Sequence, residues 1–265
     1  MRTGGNVSQG EGVDVTTQAV PAVELRSLSK AFGENTAVDS IDLRVPRGMF
    51  YGIVGPNGAG KSTTLAMIAG LLAPTSGTVL VSGFEATGQR EQALGALGIM
   101  MEGLSLPERL TGAELLEYSA RLRGIGSDWR ERSADLLEVL ELDRAPTTLI
   151  VDYSTGMRKK IGLAVALLHR PQVLVLDEPF EAIDPVSARS IEGLLAQYVA
   201  GGGTVLLSSH IMDVVERNCE RVALLKGGRI RAEGTIEEVA AGQTLNDTFV
   251  DLVGAAPQRP LRWLG

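Results

Sequence analysis

Apolar residues recur with two different periods along the chain, and the changes of period mark its elements. From Val23, the run Val23-Glu24-Leu25-Arg26 alternates apolar and polar side chains, the two-residue repeat of a half-buried strand. Residues 41–45 and 50–54 predict further strands, with Pro46-Arg47-Gly48 supplying the turn between them. A glycine-rich loop follows at Gly55, then a helix from Lys61 to about Leu72, stopped near Pro74. Residues 78–81 and 98–101 predict short strands. Thr111 and Glu114 have the spacing of a capping box, so a helix runs from there to about Arg123. A second helix covers 129–142, and 101–142 therefore reads as a mostly helical insert.

Ser154 can cap another helix, whose apolar positions Met157, Ile161, Ala164, Val165 and Leu168 follow helical spacing up to Pro171. Residues 173–176 are a continuous apolar run, the pattern of a parallel strand buried on both faces. Asp184-Pro185 resembles an N-cap with proline at the first helical position. Ile191, Leu194, Leu195 and Tyr198 form the buried stripe of that helix, which Gly201-Gly202-Gly203 ends. A strand at 204–207, a helix from Ile211 and a hairpin of 221–225 with 229–233 around Gly227-Gly228 complete the pattern. Alternating strands and helices predict an α/β fold with a largely parallel sheet covered on both sides. Residues 1–21, rich in Gly, Ser, Thr and Gln and without periodicity, are expected to be a disordered arm.

The 265 residues suffice for one large α/β domain or two small ones. Aromatic residues are only 4%, so Leu, Val, Ile and Ala must fill the core. A net charge of −7 argues against nucleic acid as the main partner, because phosphate backbones attract basic surfaces, yet it leaves room for a local basic groove around a nucleotide. One cysteine, Cys219, allows no disulfide framework within the chain and suits a reducing cytoplasm. No stretch approaches the roughly 20 apolar residues that cross a bilayer, and Met1-Arg2-Thr3-Gly4-Gly5 has no apolar segment of signal-peptide type. The chain is expected to be soluble, so a membrane role requires a separate membrane subunit.

Two motifs carry chemistry. Gly55-Pro56-Asn57-Gly58-Ala59-Gly60-Lys61-Ser62 matches the strand–GxxxxGK[ST]–helix pattern in its proper context. Small residues let successive backbone N–H groups turn inward around phosphates, and the helix beginning at Lys61 points its positive end at them. The Lys61 ammonium neutralises the β and γ phosphates, the Ser62 hydroxyl can ligate Mg²⁺, and Thr63 can reach the α-phosphate. Further on, Asp177 and Glu178 stand at the C-terminal end of an apolar strand, where open α/β sheets bind ligands. Asp177 can hold Mg²⁺ through its water shell, and Glu178 can polarise an attacking water as general base.

Together these residues resemble the ATP-binding-cassette (ABC) ATPase family over about 23–241. Gly55 to Thr63 is similar to its Walker A loop, and Val173 to Glu178 to its Walker B strand with the catalytic glutamate. Tyr153-Ser154-Thr155-Gly156-Met157 sits where the family carries its LSGGQ signature. Phe32 stands in the place of the aromatic that stacks on adenine, Asp184 resembles the D-loop aspartate, and His210 resembles the switch histidine that contacts the γ-phosphate. Glu102 falls where the family has its Q-loop glutamine; it could still reach Mg²⁺ or water, with altered electrostatics. Thr155 and Met157 replace Gly and Gln of the signature, while Ser154 and Gly156 are kept.

The resemblance implies a P-loop NTPase fold with a mostly parallel core sheet, an antiparallel β subdomain at the N-terminal side and an inserted helical signature subdomain at about 101–170. On that basis the ATPase domain spans 22–242, followed by a C-terminal extension at 243–265. It implies ATP and Mg²⁺ as ligands and a head-to-tail dimer in which one subunit's signature completes the other's ATP site, by self-pairing or with a related ATPase. It further implies integral membrane permease subunits and a peripheral position on the cytoplasmic face. Tyr153 to Met157 and Asp177-Glu178-Pro179-Phe180 look like the ATPases of ABC-2-type bacterial exporters. Alternatives are a regulatory, weakly hydrolysing ATP-binding subunit, an importer subunit, or a soluble non-transport ABC ATPase. Met100, Met101, Leu104 and Leu106 suit either a groove that receives a membrane-subunit helix or burial in the core.

Overall fold

The computed structural model describes residues 19–103 and 105–254; most of the expected N-terminal arm, Leu104 and the tail from residue 255 lie outside the described residues. The chain opens with strands β1 (Val23–Phe32), β2 (Asn35–Val45) and β3 (Phe50–Val54), then helix α1 (Lys61–Ile68). Strands β4 (Ser76–Val81) and β5 (Phe84–Glu85), helix α2 (Arg90–Gly95) and strand β6 (Leu97–Met100) follow. Helices α3 (Gly112–Leu122), α4 (Trp129–Val139) and α5 (Thr155–Leu167) come next. The remainder is β7 (Val173–Asp177), α6 (Pro185–Ala200), β8 (Thr204–Ser209), α7 (Met212–Asn218), β9 (Arg221–Lys226), β10 (Arg229–Thr235), α8 (Ile236–Ala240) and α9 (Leu245–Val253).

These strands form two sheets. An antiparallel sheet runs β2-β1-β4-β5, and a second sheet runs β10-β9-β3-β8-β7-β6. In the second sheet every pair is parallel except β9 with β10, which the Gly227-Gly228 turn joins as a hairpin. Apolar material covers both faces of the parallel strands, which explains their unbroken hydrophobic runs. Phe50, Val54, Leu174, Leu176, Val205 and Leu207 point into one core, shared with α3, α5, α6 and α7. Tyr51, Ile53, Val173, Val175 and Leu206 point into the other, shared with α1 and the antiparallel sheet. The two-residue period of each strand thus divides its side chains between two cores.

The helix signals read from side-chain chemistry are realised as local hydrogen bonds. Thr111 N donates to Glu114 Oε2 at 2.8 Å while Glu114 N donates to Thr111 Oγ1 at 3.3 Å, closing the capping box that starts α3. Asp184 Oδ1 accepts from Val186 N at 3.1 Å and Ser187 N at 3.0 Å, with Pro185 at the first helical position of α6.

Several boundaries differ from the expected ones. Helix α1 stops at Ile68 rather than near Leu72, because Gly70 adopts a left-handed φ of 64° and its N–H turns back to Met67 O. Helix α4 ends at Val139, and β2 begins at Asn35, well before residue 41. The described residues between β6 and Gly112 form turns and loop, and the helices of the expected insert are α3, α4 and α5. Helix α2 was not anticipated. Part of the expected C-terminal extension belongs to the main body: α9 buries Leu245 in the first core, and Lys226 Nζ donates to Leu252 O at 2.9 Å.

Candidate functional site

Strand register brings the candidate residues together. β3 lies between β9 and β8, and β8 between β3 and β7, all parallel. Val54 is level with Ser209, and Asp177 is level with Ser208. The C-terminal ends of three adjacent strands therefore present the Gly55 loop, the Asp177-Glu178 pair and His210 at one edge, where open α/β sheets bind ligands.

The loop from Gly55 to Gly60 can take its course only with glycine at two close approaches. A Cβ on Gly55 would lie 2.4 Å from Leu225 O. Gly60, at φ +105°, caps α1, and a Cβ there would lie 2.5 Å from Ala37 O. The loop thus nests against β9 and β2 and leaves the first turn of α1 facing the cleft, a concentration of backbone N–H donors suited to an anion. Lys61, buried to 6% exposure, donates through Nζ to Gly55 O at 2.8 Å, so its ammonium lies across the loop.

Two buried carboxylates, Asp177 and Glu178, stand at the end of β7, and the second faces that ammonium. Asp177 Oδ1 accepts from Ser208 Oγ at 2.6 Å and from Ser62 Oγ at 3.1 Å. Glu178 Oε1 lies 3.6 Å from Lys61 Nζ, and Oε2 lies 3.0 Å from His210 Nδ1. The Glu178 backbone is in the left-handed region, at φ 47°, which is costly for a non-glycine residue and persists only where neighbours hold it. Its N–H donates to Ser208 Oγ at 3.0 Å, and its carbonyl accepts from Lys159 Nζ at 2.7 Å. Burial lowers the proton affinity of Lys159, and the carboxylates Glu181, Glu102, Glu178 and Asp177 oppose that shift.

Asn57, Gly58, Ala59, Gly60, Lys61, Ser62 and Thr63 line a cleft of about 310 Å³ together with Glu102, Glu178, Glu181 and His210. Ser62 lines this cleft and its Oγ lies 3.1 Å from Asp177 Oδ1, and these two hard oxygen donors fit a magnesium ion. Among the described residues no group of three or more His, Cys, Asp or Glu side chains could hold a metal by itself. A cation here would therefore draw its other ligands from phosphate oxygens and water, the usual habit of Mg²⁺.

Other expected site residues lie outside this cleft. Ser154 caps α5, accepting from Met157 N at 3.2 Å, and Ser154 and Thr155 are exposed with Gly156 and Met157 half-buried. Asp184 is exposed at the start of α6, and hydrogen bonds from Ser187 and Val186 hold its carboxyl below the usual range. Phe32, 51% exposed at the end of β1, carries the Lys30 ammonium 5.1 Å from its ring centroid. A second cavity of about 840 Å³ adjoins the site; Met100, Met101, Glu102, Leu106, Lys159 and Val165 are among its walls. Met100 is itself buried in the first core, while Met101 and Leu106 are half-buried.

Sequence reasoning missed Ser208, Lys159 and Glu181. A signal existed for the first: Ser208 follows the apolar run 205–207 of the strand beside the acidic one. For Lys159 the signal was helical spacing, since Thr155, Lys159 and Gly162 share the α5 face that lines the second cavity.

The geometry has counterparts in known proteins. The family model described as ABC transporter matches residues 38–181. A daunorubicin/doxorubicin resistance ATP-binding protein of Streptomyces peucetius is 38% identical over 228 residues, covering 85% of this chain and 68% of its own length. A bacitracin transport ATP-binding protein of Enterococcus faecalis is 34% identical, covering 82% of this chain and 70% of its own. A solved ATP-binding subunit of an ABC transporter superposes with a TM-score of 0.82 at 29% identity, covering 87% of this chain and 99% of that one. A dimeric ATP-binding cassette in a post-hydrolysis state, bound to ADP and Pi, superposes with a TM-score of 0.73 at 27% identity, covering 80% and 98% of the two chains.

Proposed function

The chain belongs to the ABC transporter family, and on that premise we propose that it binds and hydrolyses ATP to energise export through separate membrane permease subunits. The observation that carries this reading is the convergence of Lys61, Ser62, Asp177, Glu178 and His210 at one edge of the parallel sheet. Among the described residues no helix is long and apolar enough to cross a membrane, so the membrane path falls to other chains. Relatives named for daunorubicin/doxorubicin resistance and for Nod factor export support the direction of transport.

Each residue has a task in this reading. The loop N–H groups and Lys61 hold the phosphates. Ser62 and Asp177 hold Mg²⁺, which when bound neutralises charge on the β and γ phosphates. Glu178 orients a water for in-line attack on the γ-phosphorus: the new O–P bond forms, the bond to the β–γ bridging oxygen breaks, and the water's proton passes to the carboxylate. His210, hydrogen-bonded to that carboxylate, fixes its rotamer and faces the γ-phosphate. Glu102 bears on the same cleft from the core's loop. Ser154, Thr155, Gly156 and Met157 stand outside the cleft, the first two exposed and the others half-buried, as expected if they complete the ATP site of a second ATPase subunit. Asp184 would then lie near that interface, and Phe32 would stack on adenine. ATP spanning both chains closes the pair, and hydrolysis opens it. The permease would sense this motion from the cytoplasmic face, through the cavity beside Leu106. MgATP-dependent phosphate release by the purified chain tests the proposal. Activity should be present in the wild type and fall by ~10²-fold or more in Glu178→Gln, the usual contribution of a general base; equal release by both would remove Glu178 from its assigned role.

A further inference from the structure

Lys159 joins the helical insert to the catalytic edge of the sheet. It sits one turn into α5, and its ammonium donates to the Glu178 carbonyl at 2.7 Å and lies 3.9 Å from Glu181 Oε2. The side chain is 18% exposed, so this bond is shielded from competing water. The acceptor belongs to the one residue of the site whose backbone is strained by its own side chain, at φ 47°. A left-handed turn at a non-glycine residue needs restraint from outside. Ser208 Oγ accepts from the Glu178 N–H on one side, and Lys159 with Glu181 N holds the carbonyl on the other. Released from Lys159, the peptide can relax, and the carboxylate turns away from Lys61 and His210.

We propose that Lys159 is a positioning residue for ATP hydrolysis: by holding the Glu178 carbonyl it aims the Glu178 carboxylate, and it makes that aim depend on where α5 sits. The first turn of α5 carries Ser154, Thr155, Gly156 and Met157, so a shift of that helix reaches Glu178 through Lys159 without any contact between the two segments. This rests on the reading of the site given above. It assigns Lys159 no contact with nucleotide.

The test uses the purified full chain and compares wild type, Lys159→Met and Lys159→Arg. Loss of one charge-assisted hydrogen bond to the backbone predicts that kcat falls about tenfold in Lys159→Met while KM for ATP stays within about twofold. Lys159→Arg, which keeps a cationic donor, recovers most of the lost rate. The chain has two histidines, so the ring nitrogens of His210 can be followed by NMR as a report on the Glu178 contact that needs no turnover. In Lys159→Met they shift toward the positions seen in Glu178→Gln. His210 resonances identical to wild type in Lys159→Met overturn the proposal. So does a KM for ATP that rises as much as kcat falls. A wild-type chain that turns over no ATP refutes the hydrolytic reading instead, and the His210 resonances still decide the role of Lys159.

Discussion

Replacing Ser208 by alanine isolates the hydrogen bonds that organise the two acidic residues. Ser208 Oγ is fully buried; it donates to Asp177 Oδ1 at 2.6 Å and accepts from Glu178 N at 3.0 Å. A bond to an ionised carboxylate contributes about 1.5–3 kcal/mol, and a buried N–H left without an acceptor costs about 1–3 kcal/mol. The two are not additive in full, because Asp177 keeps its bond from Ser62 Oγ at 3.1 Å. A net loss of about 3 kcal/mol is therefore expected, which for a domain of this size lowers Tm by roughly 6–12 °C. Ser209 provides the control. It is nearly as buried, but its hydroxyl only accepts from the Ile211 N–H at 3.0 Å, a neutral bond worth about 1 kcal/mol. Thermal unfolding followed by circular dichroism should rank Ser208→Ala well below Ser209→Ala, with wild type highest. A Ser208→Ala protein that melts with wild type, or above Ser209→Ala, would refute the account of how the carboxylates are held.

Three further outcomes follow from other parts of the molecule. Gly60→Ala must fit a Cβ 2.5 Å from Ala37 O at φ +105°, so it should lose about 1–3 kcal/mol of stability, read by urea unfolding, and bind ATP more weakly. His169 Nε2 donates to Leu97 O at 2.9 Å, and burial first, then Arg123, lowers its pKa from 6.5 to about 4. Below pH 6.5 the unfolded chain binds a proton that the folded one refuses, so stability is complete above pH 6.5 and falls toward pH 4. Urea midpoints at pH 7, 6 and 5 should fall less steeply in a folded His169→Gln variant, and equal slopes would discount the group. A cysteine at position 106, in the wall of the 840 Å³ cavity, should cross-link to a co-purified permease; no cross-link in an active complex would discard that docking place.

The legible parts of the chain were those where one local requirement fixes residue type. Strands β7 and β8 show as unbroken apolar runs because both faces are covered, and the Gly55 loop shows because close approach to Leu225 O and Ala37 O excludes side chains. Thr111, Ser154 and Asp184 were readable as caps because their side-chain oxygens serve the helix they begin. The long β1–β2 hairpin was only half seen, since register shifts along β1 break the two-residue alternation. Between β6 and α3 the apolar residues show no period, and there Leu106 and Leu110 pack on the core from turns and loop. The roles of Ser208 and Lys159 were missed for another reason, since neither signal names a partner. Asp177 lies on a different strand from Ser208, and Glu178 follows that strand outside the insert that carries Lys159, so only tertiary structure joins them.

The central claim is that Lys61, Ser62 and Asp177 belong to one site for a magnesium-chelated triphosphate. Calorimetric titration of the purified chain with MgATP tests it most directly. The account predicts saturable uptake in the wild type, weakened by about tenfold or more in Lys61→Ala, where a buried cation against the phosphates is lost. A wild-type chain that shows no saturable uptake, or a Lys61→Ala chain that binds with unchanged affinity, would contradict it.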